Sequence, residues 1–464
     1  MIYSFGQNQP PPRGGKGVCV MGNSSKRIIQ VDERVPLPQL IPLSIQHVFA
    51  MFGASVLVPI LFGIHSGVVL FMNGVGTLLF IALTRGKAPA YLGSSFAFLA
   101  PALLVISSQG FAYAQGGFVV VGLLGCLLAL IVWKFGTAWI DVVLPPAAMG
   151  PVVALIGLEL ASNTVTGGSI GANLMAVGAD GSLTVSPTLT AGDVAVFAVT
   201  LGVAVFGSVL FRGFLSVIPL LIAMICGYIT AVLAGVVDFT PLHEVGLGSA
   251  FTGLSHVSWF TLPHFQLAQF DLNAILTIAP VILVIAAEHI GHQVVTSQIV
   301  GRDLLKDPGL HRSLLGDNLS SALSGLVGSV PTTTYGENIG VMAVTGVYSV
   351  QVIGGAAVIS ILMAFVGPLS AFIATIPGDV IGGITFLLYG MIGTSGLRIL
   401  VDKKVDYSKN KNLILTSVVF VAGLSGLTLT FGSVSISGMT LAAVTAVIIS
   451  LLFYVLGKAG LMND

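Results

Sequence analysis

Apolar residues come along this chain in runs of about twenty, parted by short polar connectors. That is the length of a membrane-spanning helix. The run boundaries predict spans near 41–62, 67–84, 91–107, 114–133, 139–158, 191–211, 214–236, 273–299, 314–329, 331–346, 347–367, 371–396, 412–431 and 436–457. Two runs are interrupted: AYLGSSFAF (90–98) and SVPTTTYGEN (329–338) put small polar residues where a helix interior is expected. Extended backbone at that depth is tolerated only inside protein or along a wet cavity. Two short strands, one from each interruption, can satisfy each other by pairing. The helix after each strand then aims its N-terminus, with free N–H groups and partial positive charge, at the centre of the molecule.

The two halves of the chain are weakly alike. Gln46-His47 opens the first half as Glu288-His289 opens the second, and LPPAAMG (144–150) is echoed by IPGDVIGG (376–383). An odd number of spans per half makes the halves inverted in the membrane, an arrangement that locates transporter sites near the midplane. The expected fold is an all-α polytopic membrane protein of about fourteen spans in a seven-plus-seven inverted repeat, with two short antiparallel strands in broken spans 3 and 10.

Composition agrees. The chain is 55% hydrophobic and 8% charged, against roughly 25% charged in a soluble domain. Its formal net charge is zero, which argues against nucleic-acid partners. Threaded from a cytoplasmic N-terminus, Arg85, Lys87, Lys134, Arg212, Arg302, Lys306, Arg312, the stretch Arg398 to Lys411 and Lys458 fall on one side. The long outer stretches 159–190 and 237–272 hold no Lys or Arg. This is the positive-inside pattern, and it predicts a multi-pass protein of the cytoplasmic (inner) membrane with both termini inside. Residues 1–38, with PPP and GG, read as a disordered cytoplasmic tail without the apolar segment of a signal peptide. Cys126 and Cys226 sit in apolar runs and read as small hydrophobes.

Two acids break the apolar background. Glu288 lies in APVILVIAAEHIGHQVV and Glu337 in LVGSVPTTTYGENIGVMAV. An ionisable group at bilayer depth costs at least ~2.5 kcal/mol, so such groups usually face a cavity and handle protons, ions or substrate. Glu288 and His292, four apart, share a helix face and suit a proton relay. A pair fixed only for helix packing is the competing account. Gly336, before Glu337, lets a ligand approach backbone, whereas a bland Glu337 would only serve its own helix terminus. Tyr335, Phe96 and Tyr389 can offer flat walls to a planar ligand, or simply pack. Asp379 reads as a solvated or capping residue. The order Glu288, His289, His292 lacks the spacing of a zinc protease helix, and no nucleophile and base stand at a membrane face. No metal or organic cofactor is expected.

With these residues in view, the stretch from Asp32 to Lys458 resembles the nucleobase–ascorbate transporter family, and within it the bacterial uracil permeases. The resemblance is carried by IPLSIQHVFAMFGASVLVPILF (41–62), APAYLGSSFAFLAP (88–101), AAEHIGH (286–292) and DPGLHRSLLGDNLSSALSGLVGSVPTTTYGENIGVMAVT (307–345). It implies a core domain from 39–136 (spans 1–4) and 273–367 (spans 8–11), and a gate domain from 137–240 (spans 5–7) and 368–458 (spans 12–14). Residues 241–272 then form an extracytoplasmic loop. It also implies proton-coupled import of uracil, the proton being the only coupling ion. The acids at Glu288 and Glu337 would bond the base, backbone at Phe96 and Gly336 would contact it, Tyr389 would face it from the gate, and His292 would serve proton coupling. A homodimer is left open. Similar uracil permeases read P-N-T-T-Y-G-E-N where this chain has Thr332, which keeps a purine or xanthine permease as the near alternative. From another class, an anion channel or exchanger of similar fold would need a cation near the strands, and the spans supply none.

Overall fold

The computed structural model of the chain describes residues 28–137, 139–166, 171–178, 182–240, 259–431 and 434–462. Among these, seven helices are long and apolar enough to cross a membrane: Leu37–Phe62, Ser66–Leu83, Phe111–Phe135, Ala191–Leu210, Leu272–Val300, Gly378–Asp402 and Gly438–Lys458. Five shorter apolar helices join them: Phe96–Gln109, Pro146–Leu158, Pro219–Ala234, Val350–Met363 and Asn410–Leu424. Three of these helices start on a side-chain cap. Thr190 and Asp193 close a reciprocal capping box, and the Asp271 carboxylate accepts from the Asn273 and Ala274 N–H groups. Within Leu272–Val300, Pro280 divides a short Leu272–Ile278 segment from Val281–Val300, the helix that carries Glu288.

Both expected interruptions are strands. Leu92–Ser94 pairs antiparallel with Thr332–Thr334, in the register Leu92–Thr334, Gly93–Thr333 and Ser94–Thr332. The ladder continues through Ser95 N to Pro331 O (2.8 Å) and Tyr335 N to Tyr91 O (3.0 Å). A two-stranded ribbon leaves two open edges, which buried protein must satisfy. On one edge the Leu92 N–H donates to Thr77 Oγ1 at 2.9 Å. On the other, Ser321 Oγ accepts from Thr332 N (3.1 Å) and donates to Thr332 O (2.5 Å), while Asp317 Oδ1 accepts from Thr334 N at 3.0 Å. Helix Leu310–Leu326 therefore runs beside the ribbon as a surrogate strand, with Asp317, Ser321 and Ser324 spaced along one buried face.

Helices pack in two groups. Phe111–Phe135 lies along Leu310–Leu326, and Ser66–Leu83 lies on both Leu310–Leu326 and Val350–Met363. Separately, Pro146–Leu158 lies along Gly378–Asp402, Ala191–Leu210 along Pro219–Ala234, and Asn410–Leu424 along Gly438–Lys458. Close approach uses glycine: a Cβ at Gly125 would strike the Asn318 side chain, and one at Gly157 would strike the Tyr389 carbonyl. Val281–Val300 touches elements of both groups.

Three expectations need correction. Order begins before residue 38: Ile29 bridges to Val347, Val31 is buried, and the Val35 N–H donates to Gln351 Oε1 at 2.8 Å. The apolar residues Ile29, Val31 and Val35 give this stretch a face to bury. Residues 1–27 lie outside the described residues. The span expected at 412–431 ends at Leu424, because Gly426 turns the chain at positive φ into a hairpin of Thr428–Phe431 with Val434–Ser437. Asp379 is neither solvated nor only a cap: it is buried and accepts the Asn173 N–H at 2.8 Å, pinning the stretch around Asn173 to its helix.

Candidate functional site

Helix Val281–Val300 packs against the Phe96–Phe98 turn, the Thr332–Thr334 strand and helix Gly336–Thr345. These are the elements that hold Glu288, His292, Phe96, Gly336 and Glu337. Glu288, His292, Phe96 and Glu337 are half-buried and Gly336 is exposed, so this convergence is not sealed as a core would be. Glu337 lies in the first turn of Gly336–Thr345, whose start follows directly from the ribbon. Glu337 and Asp317 both lie within Coulombic reach of Glu288. One Glu288 oxygen, Oε2, is buried without a protein partner, which is costly unless something else meets it.

His292 bridges the two parts of the site. Its Nδ1 lies 3.0 Å from Thr334 Oγ1. On the other side of the ring, a Cβ built on Gly336 would stand 3.6 Å from Nε2. His289 turns away, as the helical spacing predicts. It is fully buried, 3.5 Å from the equally buried Asp317, with its ring edge-on to Phe80.

The aromatic candidates separate. Phe96 stands at the convergence, at the first residue after the strand Leu92–Ser94 and its neighbour Ser95. Tyr335 is buried: its ring lies on Gly93, where any Cβ would collide with it, and its hydroxyl donates to the Ser94 carbonyl at 3.0 Å. It shapes the ribbon. Tyr389 is buried in the apolar cluster that also contains Ile285 and Phe98 and that Phe96 borders.

One contributor, Asp317, escaped the sequence reading. Asp317 fits the rule that singled out Glu288, a lone acid in a segment otherwise uncharged from Ser313 onward, but polar neighbours mask it. Asn338 pairs with His47, donating Nδ2 to Nδ1 and to the main-chain oxygen, both at 3.1 Å. His47 was noticed only as half of a repeat. Thr332, the departure from the uracil-permease pattern, has its hydroxyl engaged within the protein: its Oγ1 lies 2.6 Å from Ser320 Oγ. Replacing Asp317 by Ala strips the Thr334 N–H of its acceptor. The expected cost is about 1–3 kcal/mol, read as a lowered unfolding midpoint in detergent, with Asp317→Asn milder because the amide oxygen still accepts.

A model of the Permease family matches residues 38–432. The chain is 51% identical over 438 residues to the uracil permease of Paenibacillus larvae subsp. larvae, covering 94% of this chain and 99% of that one. It is 51% identical over 429 residues to the uracil permease of Escherichia coli K12, covering 92% and 94%, and 43% identical over 438 residues to that of Bacillus subtilis 168, covering 92% and 96%. Among solved structures, the transmembrane domain of the cyanobacterial bicarbonate transporter BicA superposes with a TM-score of 0.58 at 14% identity, covering 91% of this chain and 100% of that one. The murine anion transporter Slc26a9 in its inward-facing state gives 0.62 at 9% identity, covering 91% and 68%. At such identities these two speak for the fold alone.

Proposed function

The chain belongs to the Permease family, and from that premise we propose that it imports uracil together with a proton across the cytoplasmic membrane. The observation that carries this reading is the convergence of half-buried Glu288 and Glu337 on an exposed Gly336 at the end of a paired strand. Uracil presents N–H donors and carbonyl acceptors in one plane. The two carboxylates accept from N–H groups, and main-chain N–H groups at the helix start donate to a carbonyl. Phe96 offers a flat wall. The relatives named uracil permease support the choice of base, and Thr332, which turns toward Ser320, gives no reason to prefer a purine.

In this reading the group built on Phe111–Phe135 and Leu310–Leu326 is the core, and the group built on Pro146–Leu158 and Gly378–Asp402 is the gate. Transport is the rocking of one against the other about a fixed site. Proton loading at Glu288 and His292 lowers the charge carried through the apolar interior, which lets the loaded carrier rock. An anion exchanger would need a fixed cation beside the strands. The sequence holds no Lys or Arg from 88 to 133 or from 313 to 397.

Labelled-uracil uptake into proteoliposomes, with an internal pH indicator and competition by xanthine, tests the proposal. Saturable uptake with internal acidification, resisted by excess xanthine, is expected. Uptake of xanthine instead of uracil would assign a purine carrier. In the same assay His292→Ala should reduce accumulation driven by a proton gradient by about tenfold or more while equilibrium binding of uracil changes little, since a relay residue acts on the cycle. Undiminished accumulation at every external pH would remove His292 from the relay.

A further inference from the structure

A second cavity lies apart from the glutamate site. It measures about 290 Å³ and is lined by Pro101, Leu104, Ser107, Glu159, Thr277 and Thr440, among others. Its walls come from both helix groups: Leu99–Gln109 and Leu272–Ile278 on one side, the end of Pro146–Leu158 and the start of Gly438–Lys458 on the other. Thr440 Oγ1 reaches the Thr277 carbonyl across it at 3.4 Å. By the charge asymmetry of the loops, this is the outer side.

The chemistry of the lining selects a ligand. Among the described residues Glu159 is the only acid lining it, and its Oε2 accepts the Met439 N–H at 2.9 Å, at the start of a 21-residue helix. The carboxylate charge is thus partly met by the helix terminus. Among the described residues no group of three His, Cys, Asp or Glu could hold a metal ion, and a bare cation wants several oxygen ligands. A neutral N–H donor suits the remaining acceptor capacity better. The Thr440 and Ser107 hydroxyls already donate to the Thr277 and Leu104 carbonyls, so their oxygens are left as further acceptors for a ring N–H, and Pro101 and Leu104 give an apolar side. The volume is at the small end of ligand pockets, which fits a single ring and excludes a nucleotide.

We infer that this cavity is an outer loading site for the nucleobase, in which Glu159 accepts a ring N–H before the base passes to Glu288 and Glu337. The inference rests on the uracil reading and on the orientation above. Its position between two groups of helices gives it a role in the cycle: a base held there must leave before the outer ends of the groups can close on each other.

The test uses purified protein in nanodiscs and uracil itself, read by saturation-transfer NMR. The double variant Glu288→Ala/Glu337→Ala disables the central site, and weak saturable uracil binding should persist. Adding Glu159→Gln should weaken it about tenfold, the loss of one charge-assisted hydrogen bond. The amide oxygen still accepts from Met439, so the helix stays capped. Leu104→Trp, which fills the cavity from the opposite wall, should abolish the residual binding without touching that cap. In the otherwise unaltered protein, Glu159→Gln should raise the external uracil concentration for half-maximal uptake with equilibrium binding at the central site unchanged. A double variant that binds no uracil, or residual binding indifferent to both Glu159→Gln and Leu104→Trp, would overturn the loading site and leave the transport reading standing. An unaltered protein that binds no uracil would bring down both.

Discussion

Uracil binding is lost when Glu288 is replaced by Ala: this is the largest single effect expected. Glu288 is the acid at the meeting point of the Phe96 turn, the Thr332–Thr334 strand and the Gly336 helix start, and one of its oxygens is buried without a protein partner. A site built to pair with a donor loses more than one hydrogen bond when the acceptor goes, because the ligand N–H is then stranded out of water. Removing a charged partner costs about 1.5–3 kcal/mol, and the stranded donor adds a similar sum. That is a hundredfold or greater rise in the dissociation constant on the usual scale of about 1.4 kcal/mol per decade. Glu288→Gln should also lose binding, since its neutral amide replaces a charge-assisted hydrogen bond to the base N–H with a weaker one. Calorimetry on purified protein decides the matter. An Ala variant with unaltered affinity would detach Glu288 from the base.

The second large effect comes from two glycines that behave in opposite ways. A Cβ at Gly336 would meet only His292 Nε2 at 3.6 Å, an ordinary contact, and Gly336 is not at positive φ. The fold tolerates a side chain there. Backbone angle is therefore not what calls for glycine here, and close approach of a ligand is what remains. Gly336→Val should abolish uracil binding with the unfolding midpoint nearly unchanged. Gly93 is the contrast: any Cβ runs into the Tyr335 ring. Gly93→Val should unseat Tyr335, break its bond to the Ser94 carbonyl, and cost both stability and binding. Thermal unfolding followed beside binding separates the two. Normal uracil binding by Gly336→Val would move the site away from residues 332–337.

How much of this was legible depends on the kind of signal. The broken spans were legible because Ser and Thr clusters beside Gly93 and Pro331 cannot pass as membrane helix, and both became strands. Glu288 and Glu337 were legible because charge stands out against apolar sequence. Asp317 was not, since its neighbours Asn318, Ser320 and Ser321 disguise a buried acid as a polar surface, and only the ribbon's open edge gives them work. The role of Tyr335 was not legible either, because whether a ring faces a ligand or lies on a glycine is set by packing between residues 242 positions apart in the chain (335 − 93). The hairpin at 428–437 was hidden in an apolar run, where helix and strand look alike until Gly426 turns the chain.

The ribbon has a consequence in time. Its main-chain bonds, and the Thr77, Ser321 and Asp317 bonds that close its edges, have no water to trade with at that depth. Each must break unaided, so the amides of residues 92, 332 and 334 should be among the last in the chain to exchange with deuterium. Substrate can arrive and leave while those protons stay in place.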